Sequence, residues 1–258
     1  MFTDLRGKKV LITGSTAGIG LAAAKALAAQ GAQVGINGRQ PYESVASVLS
    51  EFDGLEGDVM YFSADLSQSS QCQKLVDEFV QHFGGIDVLI NNAGGLGGRE
   101  GLENIDDAFY DRVMDLNARS VLMVTKYAIP YLRASAAQSG QTSCVISTGS
   151  IAGREGGGVG AGLYAASKAW LHDIHRNWVK EFTQDNIRFN IVSPGTIDTA
   201  FHEDKPSHVK DTIANSIAMK RFGRVEELAP SYLFFASHAC SGYITGQILD
   251  VNGGQMCP

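Results

Sequence analysis

Short apolar runs and longer runs of helical period take turns along this chain. Residues 9–13, Lys-Val-Leu-Ile-Thr, read as a buried strand. So do residues 33–37, 58–63, 86–90, 143–148, 187–192 and 247–251. Between them lie segments patterned as helices: 21–30, 42–52, a stretch closing near His82, 106–136, 163–182 and 226–237. The 163–182 segment holds neither proline nor glycine, whereas 106–136 contains Asn117 and a Pro130 expected to kink it. This alternation predicts an α/β chain: a parallel, doubly wound sheet with helices on both faces. Ligands of such sheets lie outside the carboxyl ends of the strands, so the turns that follow the strands are where chemistry belongs. Residues 200–217 are polar and suit a lid. No linker or break in composition divides 1–258, which predicts one domain.

The turn after the first strand reads Gly14-Ser15-Thr16-Ala17-Gly18-Ile19-Gly20. Glycines between a strand and a helix allow a pyrophosphate close to the backbone, and the free N–H groups and dipole of the helix favour negative charge. A dinucleotide is the expected ligand. The second strand ends at Asn37-Gly38-Arg39, with no acid to accept a ribose 2′-OH. Arg39 could instead pair with a 2′-phosphate, helped by the Ser15 and Thr16 hydroxyls. NADP(H) is therefore favoured, with NAD(H) possible. After the third strand, the Asp65 carboxylate, next to Leu66, could accept from an adenine amino group or cap the next helix. Asn91-Asn92-Ala93-Gly94 closes the fourth strand and Ser150 follows the fifth. Pro194 and Gly195 bend the chain after the sixth, leaving Ile197 backbone groups and the Thr199 hydroxyl for an amide-bearing ligand.

Tyr164 and Lys168 stand four apart in the 163–182 helix, one turn above each other on nearly the same face. A cation beside a phenol lowers its pKa from about 10 toward the working pH. Such a phenol can give a proton to a developing alkoxide or take one from an alcohol. Tyrosine and lysine at this spacing also occur on many surface helices, so the other strand-end motifs carry the argument.

Composition narrows the class. The chain has 30 glycines against 6 prolines, a sign of many tight turns rather than disorder. A formal net charge of −6 argues against nucleic acid and anionic membranes as partners. Cys72, Cys144, Cys240 and Cys257 are scattered, which predicts a reduced, cytoplasmic chain without a metal site. The start has no apolar run of signal length, and no window approaches a membrane span.

Taken in order, Thr13-Gly14-x-x-x-Gly18-Ile19-Gly20, Asn91-Asn92-Ala93-Gly94, Asn117, Ser150, Tyr164-x-x-x-Lys168 and Pro194-Gly195 resemble the short-chain dehydrogenase/reductase family along nearly the whole chain. The resemblance implies a three-layer Rossmann fold with a seven-stranded sheet, a nicotinamide cofactor, and homo-oligomers built through the helices that carry Asn117 and Tyr164. It implies Tyr164 as general acid, with Lys168 lowering its pKa and holding the nicotinamide ribose. Ser150 would hydrogen-bond the substrate oxygen, and Asn117 would hold a water linking Lys168 to solvent. Gly14, Ser15, Thr16, Gly18, Ile19, Gly20, Arg39, Asp65, Leu66, Asn92, Ala93, Gly94, Pro194, Gly195, Ile197 and Thr199 would line the cofactor. The chain also looks similar to bacterial reductases of 4-deoxy-L-erythro-5-hexoseulose uronate, the keto sugar acid released from alginate. The pieces that suggest it include Ser147-Thr148-Gly149-Ser150-Ile151-Ala152-Gly153 and Gly156-Gly157-Gly158. Such a substrate needs cations, and Arg154, His202 and Lys205 in loops expected to face the site are the candidates. Two other readings compete. A 3-oxoacyl carrier-protein reductase would want a basic patch that the sequence does not clearly show. A nucleotide-sensing regulator would have been favoured by loss of Ser150, Tyr164 or Lys168, yet all are present.

Overall fold

The computed structural model describes residues 2–202 and 205–257. Its first half runs β1 (Lys9–Ile12), α1 (Gly18–Ala28), β2 (Gln33–Gly38), α2 (Ala46–Ser50), β3 (Val59–Ser63), α3 (Ser69–Phe83), β4 (Val88–Asn91), α4 (Asp107–Met114) and α5 (Ser120–Ser139). The second half runs β5 (Ser143–Thr148), α6 (Ala152–Glu155), α7 (Gly162–Phe182), β6 (Ile187–Pro194), α8 (Ser207–Ser216), α9 (Ala229–Ala236), α10 (His238–Ser241) and β7 (Ile248–Val251). The seven strands form one parallel sheet in the order β3-β2-β1-β4-β5-β6-β7. Val10 of β1 pairs with Val34 on one side and Val88 on the other. Strand order therefore reverses at β1, and the crevice beside its carboxyl end is where the topology directs a ligand.

Alternation along each strand feeds two cores. Val10 and Ile12 pack with Ala24 and Leu27 of α1 and Tyr232 and Phe235 of α9. Leu11, between them, packs on the opposite face with Phe79 of α3, Val124 of α5 and Leu171 of α7. A strand buried on both faces reads as an unbroken apolar run, which is the pattern of residues 10–12. Sheet and helices thus make the three layers of a Rossmann fold.

Three segments depart from the sequence pattern. The helix expected over 42–52 is a 3-10 turn, Tyr42–Val45, followed by the short α2. The helix expected over 226–237 starts as a 3-10 turn, Val225–Glu227, because Glu227 folds back onto the N–H of Arg224 (2.8 Å). The long helix expected over 106–136 is split by a π turn, Asp115–Arg119, and its second part, α5, carries Pro130 within it and runs on to Ser139. Asn117 causes that turn. Its Nδ2 donates to Val113 O (2.8 Å), the carbonyl that its own backbone N–H would bond in an α-helix.

Candidate functional site

The turn between β1 and α1 is shaped to let other groups come close. Gly14 and Gly18 both adopt φ +58°. A Cβ on Gly14 would stand 2.7 Å from Ala93 Cα, and one on Gly20 would stand 2.5 Å from Asn92 Nδ2. Any side chain there would push the β4 turn away. Ala17 caps α1 without a side-chain acceptor, so the first N–H groups of the helix have no capping oxygen. A pyrophosphate fits this arrangement of open N–H groups and bare backbone. Across the crevice, a Cβ on Gly18 would lie 3.7 Å from Thr199 Cγ2, so the turn after β6 meets the glycine turn. Gly195 is held by its N–H to Val251 O (3.1 Å), with no room for a Cβ beside Asn252.

Some cofactor candidates are committed elsewhere. Ser15 is fully buried; its hydroxyl donates to Ile12 O (2.7 Å) and accepts from Asn37 N (2.9 Å), so it does not face a 2′-phosphate as expected. Thr16 lies against Gly38, where a Cβ would meet its Cγ2 at 2.8 Å. Arg39 is exposed and, among the described residues, has no ion-pair partner. Asp65 caps no helix, since Gln68 is the N-cap of α3; it accepts instead from Ser67 N (3.1 Å) and Ser67 Oγ (2.9 Å). The Leu66 side chain is core, which leaves only its backbone for a ligand. Ile197 is likewise buried.

Tyr164, Lys168, Ser150 and Asn117 converge at the carboxyl ends of β4 and β5. Lys168 Nζ lies 5.8 Å from the Tyr164 ring centre and donates to Thr148 O (2.8 Å). Asn117 is fully buried and brackets Gly95, accepting from its N–H (3.0 Å) and donating to its carbonyl (2.8 Å). A Cβ on Gly94 would stand 2.8 Å from Asn117 Oδ1 and 3.3 Å from Lys168 Nζ, so the β4 turn lies directly over both. Burial pushes the Lys168 pKa down to about 8. Burial also pushes the Tyr164 pKa up, opposed by its interaction with the Ser150 hydroxyl. The Tyr164 direction is the reverse of the expected one. Desolvation of the phenolate outweighs a cation that points at a backbone carbonyl rather than at the phenol.

Of the three proposed carboxylate readers, the contacts of Arg154 are the ones described. Arg154 forms an ion pair with Asp250 of β7, and its Nη2 approaches Ser193 Oγ at 3.3 Å. Its charge is already paired within the chain. The His202 side chain lies outside the described residues, and Lys205 is half-buried ahead of α8.

Residues 14–256 match the family described as Enoyl-(Acyl carrier protein) reductase. The 3-oxoacyl-acyl-carrier-protein reductase of Thermotoga maritima is 36% identical over 250 residues, spanning 97% of this chain and 98% of that protein. The chain belongs to the short-chain dehydrogenase/reductase family. It is a nicotinamide-dinucleotide oxidoreductase. Among solved short-chain dehydrogenase/reductases, an NADH-dependent reductase described as responsible for alginate metabolism, A1-R′, is 66% identical. That match has a TM-score of 0.90 and covers 99% of this chain and 100% of that one. The same reductase is known complexed with NAD. A short-chain dehydrogenase from Burkholderia cenocepacia in complex with NADP is 30% identical, with a TM-score of 0.88 over 97% of this chain and 98% of that one.

Two residues named in the sequence motifs, Thr13 and Asn37, have supporting roles that the sequence did not assign. The buried Thr13 hydroxyl accepts from both Asn92 N and Ala93 N (3.0 Å each), tying the β4 turn to β1. The buried Asn37 amide accepts from Gly14 N (3.1 Å) and donates to Phe62 O (3.1 Å), fixing the glycine turn to the edge of the sheet. A polar residue ending an apolar strand, just before a glycine turn, is the signal that could have found Thr13.

Proposed function

We propose that this enzyme reduces a small keto sugar acid, 4-deoxy-L-erythro-5-hexoseulose uronate, to the corresponding alcohol. The observation that carries the reading is the convergence of Tyr164, Ser150, Lys168 and Asn117 in a chain 66% identical to an alginate-metabolism reductase. The reduced nicotinamide supplies the hydride. Ser150 donates a hydrogen bond to the carbonyl oxygen as negative charge develops there. Tyr164 gives that oxygen its proton. The phenol holds its proton at neutral pH, and burial makes it a weaker acid than a free tyrosine until charge on the substrate oxygen draws the proton away. Lys168, with a pKa of about 8, is mostly charged at pH 7 and offsets the phenolate left behind. Asn117 fixes the β4 turn above Lys168 through both of its bonds to Gly95.

Between the two dinucleotides we infer NADH as the better reductant. The 66% identical neighbour is described as NADH-dependent, and with the Ser15 hydroxyl turned inward only Thr16 and Arg39 remain to meet a 2′-phosphate. Arg39 is the residue behind the NADPH preference expected from sequence, and we infer from it a weaker use of NADPH beside NADH. A single cytoplasmic domain that self-associates through α4, α5 and α7 completes the reading, with light scattering as the check on assembly. Purified enzyme should be assayed with each reduced dinucleotide against the keto uronate, its methyl ester and 3-oxoacyl thioesters. The highest kcat/KM is expected for the uronate with NADH. A preference for 3-oxoacyl thioesters would replace this substrate with the one named for the Thermotoga maritima relative. A tenfold advantage for NADPH would reverse the cofactor inference.

A further inference from the structure

The loop leaving β4 carries Arg99, which has no part in the chemistry above. Its Nη1 donates to Val159 O (2.8 Å), and its Cβ lies 3.0 Å from where a Cβ on Gly160 would stand. The next residue, Glu100, donates its N–H to Gly160 O (3.0 Å). These contacts fasten the β4 loop to the glycine-rich loop that joins Ser150 to Tyr164. That second loop is itself seated, because a Cβ on Gly157 would touch Ala152 and Ala165, at 3.7 and 3.5 Å. From behind, Arg112 of α4 donates to Gly97 O (3.1 Å), and its guanidinium lies 5.1 Å over the Phe109 ring. Five residues before Arg99, Gly94 covers Asn117 and Lys168. The guanidinium therefore sits at the junction of two loops, the one that runs on from Gly94 and the one that joins Ser150 to Tyr164.

Arg99 is exposed, and among the described residues it has neither a carboxylate partner nor a second acceptor. Arg154 is its opposite, already neutralised by Asp250. A guanidinium carries five N–H donors in a planar fork that matches a carboxylate. One donor anchors it to Val159 O, and the rest are open to a ligand. Anchoring in advance removes part of the ordering cost of binding.

We propose that Arg99 is the residue that reads the substrate carboxylate, an assignment that rests on the keto-acid reading above. It calls for a substrate with its acid group set apart from the carbonyl that Tyr164 and Ser150 hold.

The test compares Arg99→Ala and Arg99→Lys with the wild type, using the keto uronate and its methyl ester as a matched pair. Loss of a charge-assisted hydrogen bond predicts that Arg99→Ala raises KM for the acid about ten- to hundredfold, with kcat changed by less than about threefold. The kcat/KM ratio of acid to ester should collapse toward one in Arg99→Ala and recover in part in Arg99→Lys. NADH fluorescence titration and the melting temperature report whether each variant is folded and loaded. A wild type inert toward the uronate sinks the substrate reading and this proposal with it. A wild type that reduces the uronate, but keeps its acid-to-ester ratio after loss of Arg99, sinks the proposal alone.

Discussion

Lowering the pH from 7.5 to 5.0 is expected to weaken the fold through the ring of His172. This ring of α7 is 5% exposed, and neither of its nitrogens has a hydrogen-bond partner. It packs against Gly149, where a Cβ would stand 2.5 Å from Nε2, one residue before Ser150. Burial pushes its pKa down to about 4, and the charges of Arg154, Lys168 and His175 add to that effect, while Asp250 opposes it. Above pH 6.5 the ring is neutral in folded and unfolded chains alike. Between pH 6.5 and 4 the unfolded chain takes up a proton that the folded chain refuses, so stability falls with falling pH. At pH 5.0 a folded pKa near 4 against an unfolded value near 6.5 costs about 2 kcal/mol, and the full loss approaches about 3 kcal/mol. His175, also lowered by burial, acts in the same direction. Urea unfolding at fixed protein concentration, at both pH values, should show His172→Leu losing about 2 kcal/mol less than the wild type on acidification. Parallel losses in the two proteins would refute the reasoning.

Other expectations follow from individual contacts. Tyr164→Phe should lower kcat by about 10²–10⁴-fold while NADH binding, read by fluorescence, stays within about twofold; wild-type turnover would remove Tyr164 as the acid. Thr13→Val keeps the shape but strands the N–H groups of Asn92 and Ala93. At about 1–3 kcal/mol for each unsatisfied group, the melting temperature should drop by about 5–15 °C, and an unchanged value would show that the β4 turn does not depend on this hydroxyl. Arg39→Ala should raise KM for NADPH more than for NADH, and equal effects on both would reject contact with a 2′-phosphate.

Much of this enzyme was written locally. Residues 143–148 read as a strand because every position is apolar or small, and β5 occupies those same residues. The glycine turn after residues 9–13, and the four-residue step from Tyr164 to Lys168, depend only on neighbours along the chain. Strand–turn–helix order and one-face placement were therefore legible from sequence. The tertiary structure decided what each polar group meets. Asn117 became a π turn because its amide took the carbonyl of Val113, a contest that propensity cannot score. Arg154 left the candidate site because Asp250, ninety-six residues away in sequence, captured it. The phenol of Tyr164 shifted upward rather than downward because its pKa follows burial and the aim of Lys168, neither of which a spacing contains. Periodicity tells a chain which side chains turn inward; only the packed structure tells a charge or a hydroxyl which partner it will find there.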